Sequence, residues 1–168
     1  MFEKIVSRDP EASIAQKWSA KFDPAFERDD FAGSIASRRF RNPSAYHVDE
    51  AAHEVVHYVL TGEKSEKLAT KLADLCHLIA LWTPGPAVTL APFVKLRELV
   101  ASELGGFDAN SKQAQEMGAR IDECTLMAVE YYVQSREQVL HIRLNELKRK
   151  TDMLEKVLGT AETGMGDM

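Results

Sequence analysis

The chain has 168 residues, 45% of them apolar and 28% charged, with a formal net charge of -5. This length supports one ordinary domain with its own core, and the composition is globular rather than disordered. The acidic balance offers no basic surface for phosphate contacts, so nucleic acid is excluded as an expected partner.

The opening residues, Met1-Phe2-Glu3-Lys4-Ile5-Val6, lack the basic region and long apolar run of a signal peptide, and a cytoplasmic protein is expected. Helical spacing then dominates. Ile14 and Trp18 share one face of a short helix over Ser13 to Phe22. Asp23-Pro24 reads as a cap followed by proline in a first turn, opening a second short helix with Phe26 and Phe31. Ser37 to Pro43 is a polar connector. From Ala45 to Leu60, a buried stripe of Val48, Ala52, Val55, Val56 and Val59 predicts an amphipathic helix ended by Thr61-Gly62.

Leu68, Leu72, Leu75, Cys76 and Ile79 form a second such stripe, stopped by Thr83-Pro84-Gly85-Pro86. A helix from Ala87 to Leu104 follows, carrying Leu90, Phe93, Val94, Leu96, Leu99 and Val100, with Pro92 in its first turns. The apolar stretch from Leu78 to Val94 is too short and too broken by proline to span a bilayer, so no membrane insertion is expected. After Gly105-Gly106, residues 111–158 contain no proline and a single glycine, Gly118, which predicts a very long helix or helix pair. Its stripe of Ile121, Cys124, Ala128 and Tyr132 gives way to Leu140, Leu144, Leu147, Thr151, Leu154 and Leu158. These six alternate spacings of four and three, the seam of a coiled coil, and predict a homodimer interface. The expectation is a single all-helical domain over 1–158 with its dimerisation helix at about 111–158, and a flexible tail over 159–168. Cys76 and Cys124, without a CxxC spacing, read as two buried thiols in a reducing compartment.

One motif argues for an enzyme. His53-Glu54-Val55-Val56-His57 is an HExxH pattern, which on a helix places two imidazoles one turn apart with a glutamate beside them as general base. A catalytic zinc needs a third protein ligand. The extended motif that supplies one is absent, and Glu63, Glu66 and Glu98 are the remaining glutamate candidates. No candidate strand exists to carry a peptide substrate. The buried stripe also leaves His53 and His57 on its flank with Asp49 and Glu50, two histidines facing solvent. The pairs Glu50/His53 and Glu54/His57 share one helix, whereas a di-iron bundle needs such units on two. His77 and His141 lie on apolar helices where an axial haem ligand could sit, although a lone histidine there is usually structural.

Two further stretches resemble a known family. Arg39-Phe40-Arg41-Asn42-Pro43-Ser44-Ala45-Tyr46 leads into the helix that ends at Leu60-Thr61-Gly62. Arg120-Ile121-Asp122 is followed by Tyr131-Tyr132-Val133-Gln134-Ser135-Arg136-Glu137 and then by Arg143-Leu144-Asn145-Glu146-Leu147-Lys148-Arg149. Their order, with Trp18 before them and Trp82 to Val88 between them, resembles the RsbRD N-terminal domain family over roughly residues 10–155. The family's motif positions fall here on Asn42, Pro43, Tyr132, Arg136, Glu137, Asn145 and Glu146. The chain departs from the pattern at Cys76-His77-Leu78-Ile79-Ala80-Leu81, where relatives carry an arginine-rich stretch and a glutamine.

The resemblance implies a globin-like helical fold without haem, a dimer, and a sensory role in bacterial stress signalling. It also implies a protein partner such as a kinase, phospho-acceptor or regulatory protein, and this chain reads as a stand-alone member without an effector of its own. The expected function is therefore a non-enzymatic signal-transduction module with no catalytic residues, metal or cofactor. The alternatives are a zinc-dependent hydrolase using His53, Glu54 and His57, or a haem- or ligand-binding sensor.

Overall fold

The first helix is set by its cap. The Asp9 carboxylate accepts a 3.1 Å hydrogen bond from the Glu11 N–H, and Pro10 sits in the first turn, where a missing N–H goes unmissed. The computed structural model describes residues 9–22, 43–81, 85–105, 108 and 110–164, and every regular element among them is helical. In chain order these are α1 (Pro10–Ser19), α2 (Pro43–Thr61), α3 (Leu68–Ala80), α4 (Pro86–Thr89), α5 (Ala91–Leu104) and α6 (Lys112–Gly164). None is long and apolar enough to cross a membrane. The expected helix at Asp23-Pro24 lies outside the described residues, as do Asn42 and Trp82-Thr83-Pro84.

Apolar spacing alone started α1 at Ser13. The helix begins earlier because Asp9-Pro10 is itself a cap followed by a first-turn proline. The helix expected over Ala87 to Leu104 is divided at Leu90 into α4 and α5. Pro92 has no N–H to give to the preceding turn, so a new helix begins around it. Its free role is as an acceptor: Trp18 Nε1 donates to the Pro92 carbonyl at 2.8 Å. Val94, expected on the buried stripe of α5, is 71% exposed, because that stripe runs through Phe93, Leu96 and Val100 and leaves Val94 on the far side.

The core sits where α2 packs between α1 and α3, with α3 laid along α6 and α5 touching both α1 and α6. Trp18, Phe22 and Phe93 meet edge to face at its upper end, with centroids 4.9 to 5.5 Å apart. The stripes expected on α2 and α3 are buried, and α6 contributes Met117, Ile121, Cys124, Ala128 and Tyr132. Gly118 is the close-approach point on α6. A Cβ there would lie 2.8 Å from Arg97 Nη1 of the crossing α5.

α6 is one unbroken helix that runs past Leu158 to Gly164, so the segment expected as a tail from Gly159 is helical over its described part. Its two halves differ in kind. The first packs on the body as far as Ser135 and Arg136. From Leu140 to Gly164 every residue is exposed, an arm about 37 Å long at about 1.5 Å per residue.

Candidate functional site

The HExxH helix is α2, and its two histidines part company. His53 is exposed and lines a cleft of about 640 Å³ between α1, α2 and the start of α3, together with Gln16, Glu50, Glu54, Lys67 and Lys71. His57, one turn on, is committed elsewhere. Its Nδ1 lies 3.0 Å from Glu11 Oε1 on α1, and its Nε2 lies 3.8 Å from Glu63 Oε2 on the loop after α2. His57 thus bridges α1 and the α2–α3 loop from the surface, its side chain 38% exposed. Among the described residues, no group of three or more His, Cys, Asp or Glu side chains is placed to hold a metal ion. Glu66, Glu98, His77 and His141 are all exposed on other surfaces.

Two Tyr–Glu–Lys clusters tie α2 to its neighbours. At one end, the Tyr46 hydroxyl donates to Glu50 at 2.5 Å, and Lys71 of α3 binds the other oxygen of the same carboxylate. Burial pushes the Glu50 carboxyl up, but the bonds from Lys71 and Tyr46 outweigh it and hold the carboxyl below its ordinary value. At the other end, Tyr58 donates to Glu123 of α6 at 2.5 Å and Lys64 donates to its second oxygen at 2.7 Å. The Lys64 ammonium, then the Tyr58 hydroxyl, hold Glu123 low, while the same carboxylate raises both Lys64 and Tyr58. Each carboxylate accepts from a tyrosine hydroxyl and a lysine ammonium together, which suits a clasp between helices. Both buried thiols are pushed up to about 12 by burial, far from a nucleophilic state.

The residues that carry the family resemblance take structural positions. Arg136 Nη1 donates to the Ala80 carbonyl at the end of α3 at 3.2 Å, and Arg120 Nη1 donates to the Val59 carbonyl near the end of α2 at 3.0 Å. Tyr132 is buried, with a hydroxyl that has no hydrogen-bond partner among the described residues. Pro43 opens α2 and is exposed, and Glu137, Asn145 and Glu146 project from the solvent face of α6. Sequence reasoning missed the two capping roles and both Tyr–Glu–Lys clusters. Spacing shows which residues share a helix face but not which distant carbonyl or carboxylate a long side chain reaches.

The seam residues stand on the arm. Leu140, Leu144, Leu147, Leu154 and Leu158 are each more than half exposed, with Leu147 at 59%, and the Thr151 hydroxyl turns back to the Leu147 carbonyl at 3.0 Å. The stripe continues below the arm. Leu126, Val129 and Val133, on the part of α6 that packs on the body, face solvent on the same side, Leu126 being 71% exposed.

No family model matches this chain, and no solved structure matches it. The chain is similar to a protein of Archaeoglobus fulgidus described as uncharacterized, 25% identical over 123 residues, which covers 70% of this chain and 78% of that protein.

Proposed function

We propose that this protein is a non-enzymatic regulatory module that acts through protein–protein contacts, with α6 as its dimer-forming element. The observation that carries the reading is the arm from Leu140 to Gly164. It is a long helix with a leucine seam and no intramolecular cover among the described residues. Helices in proteins owe most of their stability to packing of an apolar face. The resemblance to the RsbRD N-terminal domain adds the further reading of a globin-like, cytoplasmic signalling domain that contacts a kinase, phospho-acceptor or other regulatory protein. The test is mass by light scattering. The protein is expected at twice the chain mass and Leu147→Glu at the chain mass, and a monomeric parent protein would overturn the reading.

A second reading rests on the cleft that His53 and Glu54 line, as a metal-dependent hydrolytic site or a small-ligand sensor pocket. Metal analysis of protein purified without added zinc decides it. One zinc per chain, lost in His53→Ala, would reverse the ranking, whereas metal-free protein with an unchanged fold supports the regulatory reading.

A further inference from the structure

We infer that the cleft between α1, α2 and the start of α3 binds a free amino acid, with the ligand's ammonium on Glu54 and its carboxylate on Lys67. The inference rests on the reading of this cleft as a small-ligand pocket and names the class of ligand. Most of the polar side chains around it are committed to neighbouring helices. Glu50 is bound by Tyr46 and Lys71, His57 meets Glu11, and Tyr58 donates to Glu123. His53 and Glu54 lie between these on α2, line the cleft, and have no side-chain partner among the described residues. Lys67 lines the opposite wall, and its ammonium is likewise unpaired among them.

The two charges form an open rung. Glu50 of α2 and Lys71 of α3 close an ion pair across the two helices. Glu54 is four residues after Glu50 and Lys67 four residues before Lys71, the next pair of positions along these neighbouring elements. Both line the cleft, yet they do not pair with each other. A ligand of one sign would bring a charge against its opposite and leave the other side chain unmatched, and drawing an unmatched charge out of water is costly. A zwitterion answers both at once. The α1 wall is built from the small side chains of Ala12 and Ala15, which leave room for an apolar group, and the Gln16 amide beside them offers a donor and an acceptor together. The volume of about 640 Å³ lies inside the range of roughly 300–1,000 Å³ typical of small-molecule pockets.

Thermal shift with the common L-amino acids tests the assignment, each run beside its N-acetyl and carboxamide derivatives, with calorimetry on those that bind. At least one free amino acid is expected to raise the melting temperature. Its N-acetyl form, which lacks the ammonium, and its carboxamide, which lacks the carboxylate, are expected to leave it unchanged. Glu54→Gln and Lys67→Met are each expected to weaken the calorimetric affinity about tenfold or more, the effect of losing a charged hydrogen bond. Neither side chain is bonded within the fold among the described residues, so both variants keep the parent melting temperature without ligand. Lys148→Met, on the exposed arm, keeps the parent affinity. Equal binding of a blocked derivative, weakened in both variants, overturns the zwitterion and leaves the cleft as a ligand pocket. No shift with any of these compounds, or an affinity unchanged in either variant, overturns the zwitterion and the ligand-pocket reading together.

Discussion

Arg136 and Ala80 are joined by a hydrogen bond of 3.2 Å from the guanidinium of α6 to the last carbonyl of α3. Arg120 makes the same kind of contact with Val59 near the end of α2. The last carbonyls of a helix have no intrahelical donor and carry its negative dipole end, so a cation there satisfies both needs at once. α6 thus holds two helices by their C-termini with two arginines that flank its buried stripe, and continues beyond them as the arm. The body's packing and the arm's orientation are fixed by the same helix.

Arg136→Ala is expected to destabilise the protein by about 1.5–3 kcal/mol, the range for hydrogen bonds to charged groups. Urea unfolding followed by circular dichroism measures it. The dimer mass should not change, because Arg136 belongs to the body. Arg136→Lys is expected to recover part of the loss through charge alone.

Gly62 has φ of +78°, and a Cβ built there would lie 2.7 Å from Arg120 Nη2. Gly62→Ala therefore meets backbone strain and displaces a capping arginine together, an expected cost of about 1–3 kcal/mol. Gly105 also has positive φ, at +40°, but nothing lies within 4 Å of a Cβ there. With ψ of 123° it lies outside the left-handed helical well, so Gly105→Ala is expected to cost stability through backbone strain alone, and the same urea titration compares them.

Stability against pH follows from the Tyr–Glu–Lys clusters. Glu50 and Glu123 are held below their ordinary values. Their contribution is therefore complete above the ordinary glutamate value of about 4.3 and is lost as pH falls through the folded values. Lys64, Lys71 and Tyr58 are raised. Their contribution is complete below their ordinary values of about 10 and is lost as pH rises through the folded ones. Thermal melts across pH should show a plateau at neutral pH with a limb on each side. The double variant Glu50→Gln/Glu123→Gln is expected to flatten the acid limb, and an unchanged limb would place acid sensitivity elsewhere.

Cys76 and Cys124 are buried, and burial pushes both thiols up to about 12. Cys76 also donates to the Ala128 carbonyl at 3.4 Å. Both are expected to resist a thiol reagent at pH 8 in the folded protein and to react fully in denaturant. Rapid reaction of either in the native state would show that the α3–α6 contact opens locally.

Much of the helix order was legible because apolar periodicity is a local property. Val48 to Val59 and Leu68 to Ile79 announce their buried faces, and the single Gly118 did not interrupt α6. The Asp9-Pro10 cap was legible too, by the same rule applied to Asp23-Pro24. What spacing did not carry was contact at long separation. His57 reads from its spacing only as a neighbour of His53 on the solvent flank of α2, whereas the carboxylate it meets, Glu11, is 46 positions away. The bond from Trp18 to the Pro92 carbonyl spans 74 positions and depends on how α1 crosses α5. Leu126, Val129 and Val133 were hidden for a different reason. They flank a buried stripe on the same helix, and only the placement of α3 shows which side faces out.

The most direct test of the account is hydrogen–deuterium exchange of the amides from Leu140 to Gly164. If the arm is covered by a second copy, these amides exchange slowly in the parent protein. They become fast in Leu147→Glu, while the amides of α2 and α3 stay protected in both. If they exchange rapidly in the parent protein, the arm is an uncovered helix and α6 is not a dimer element.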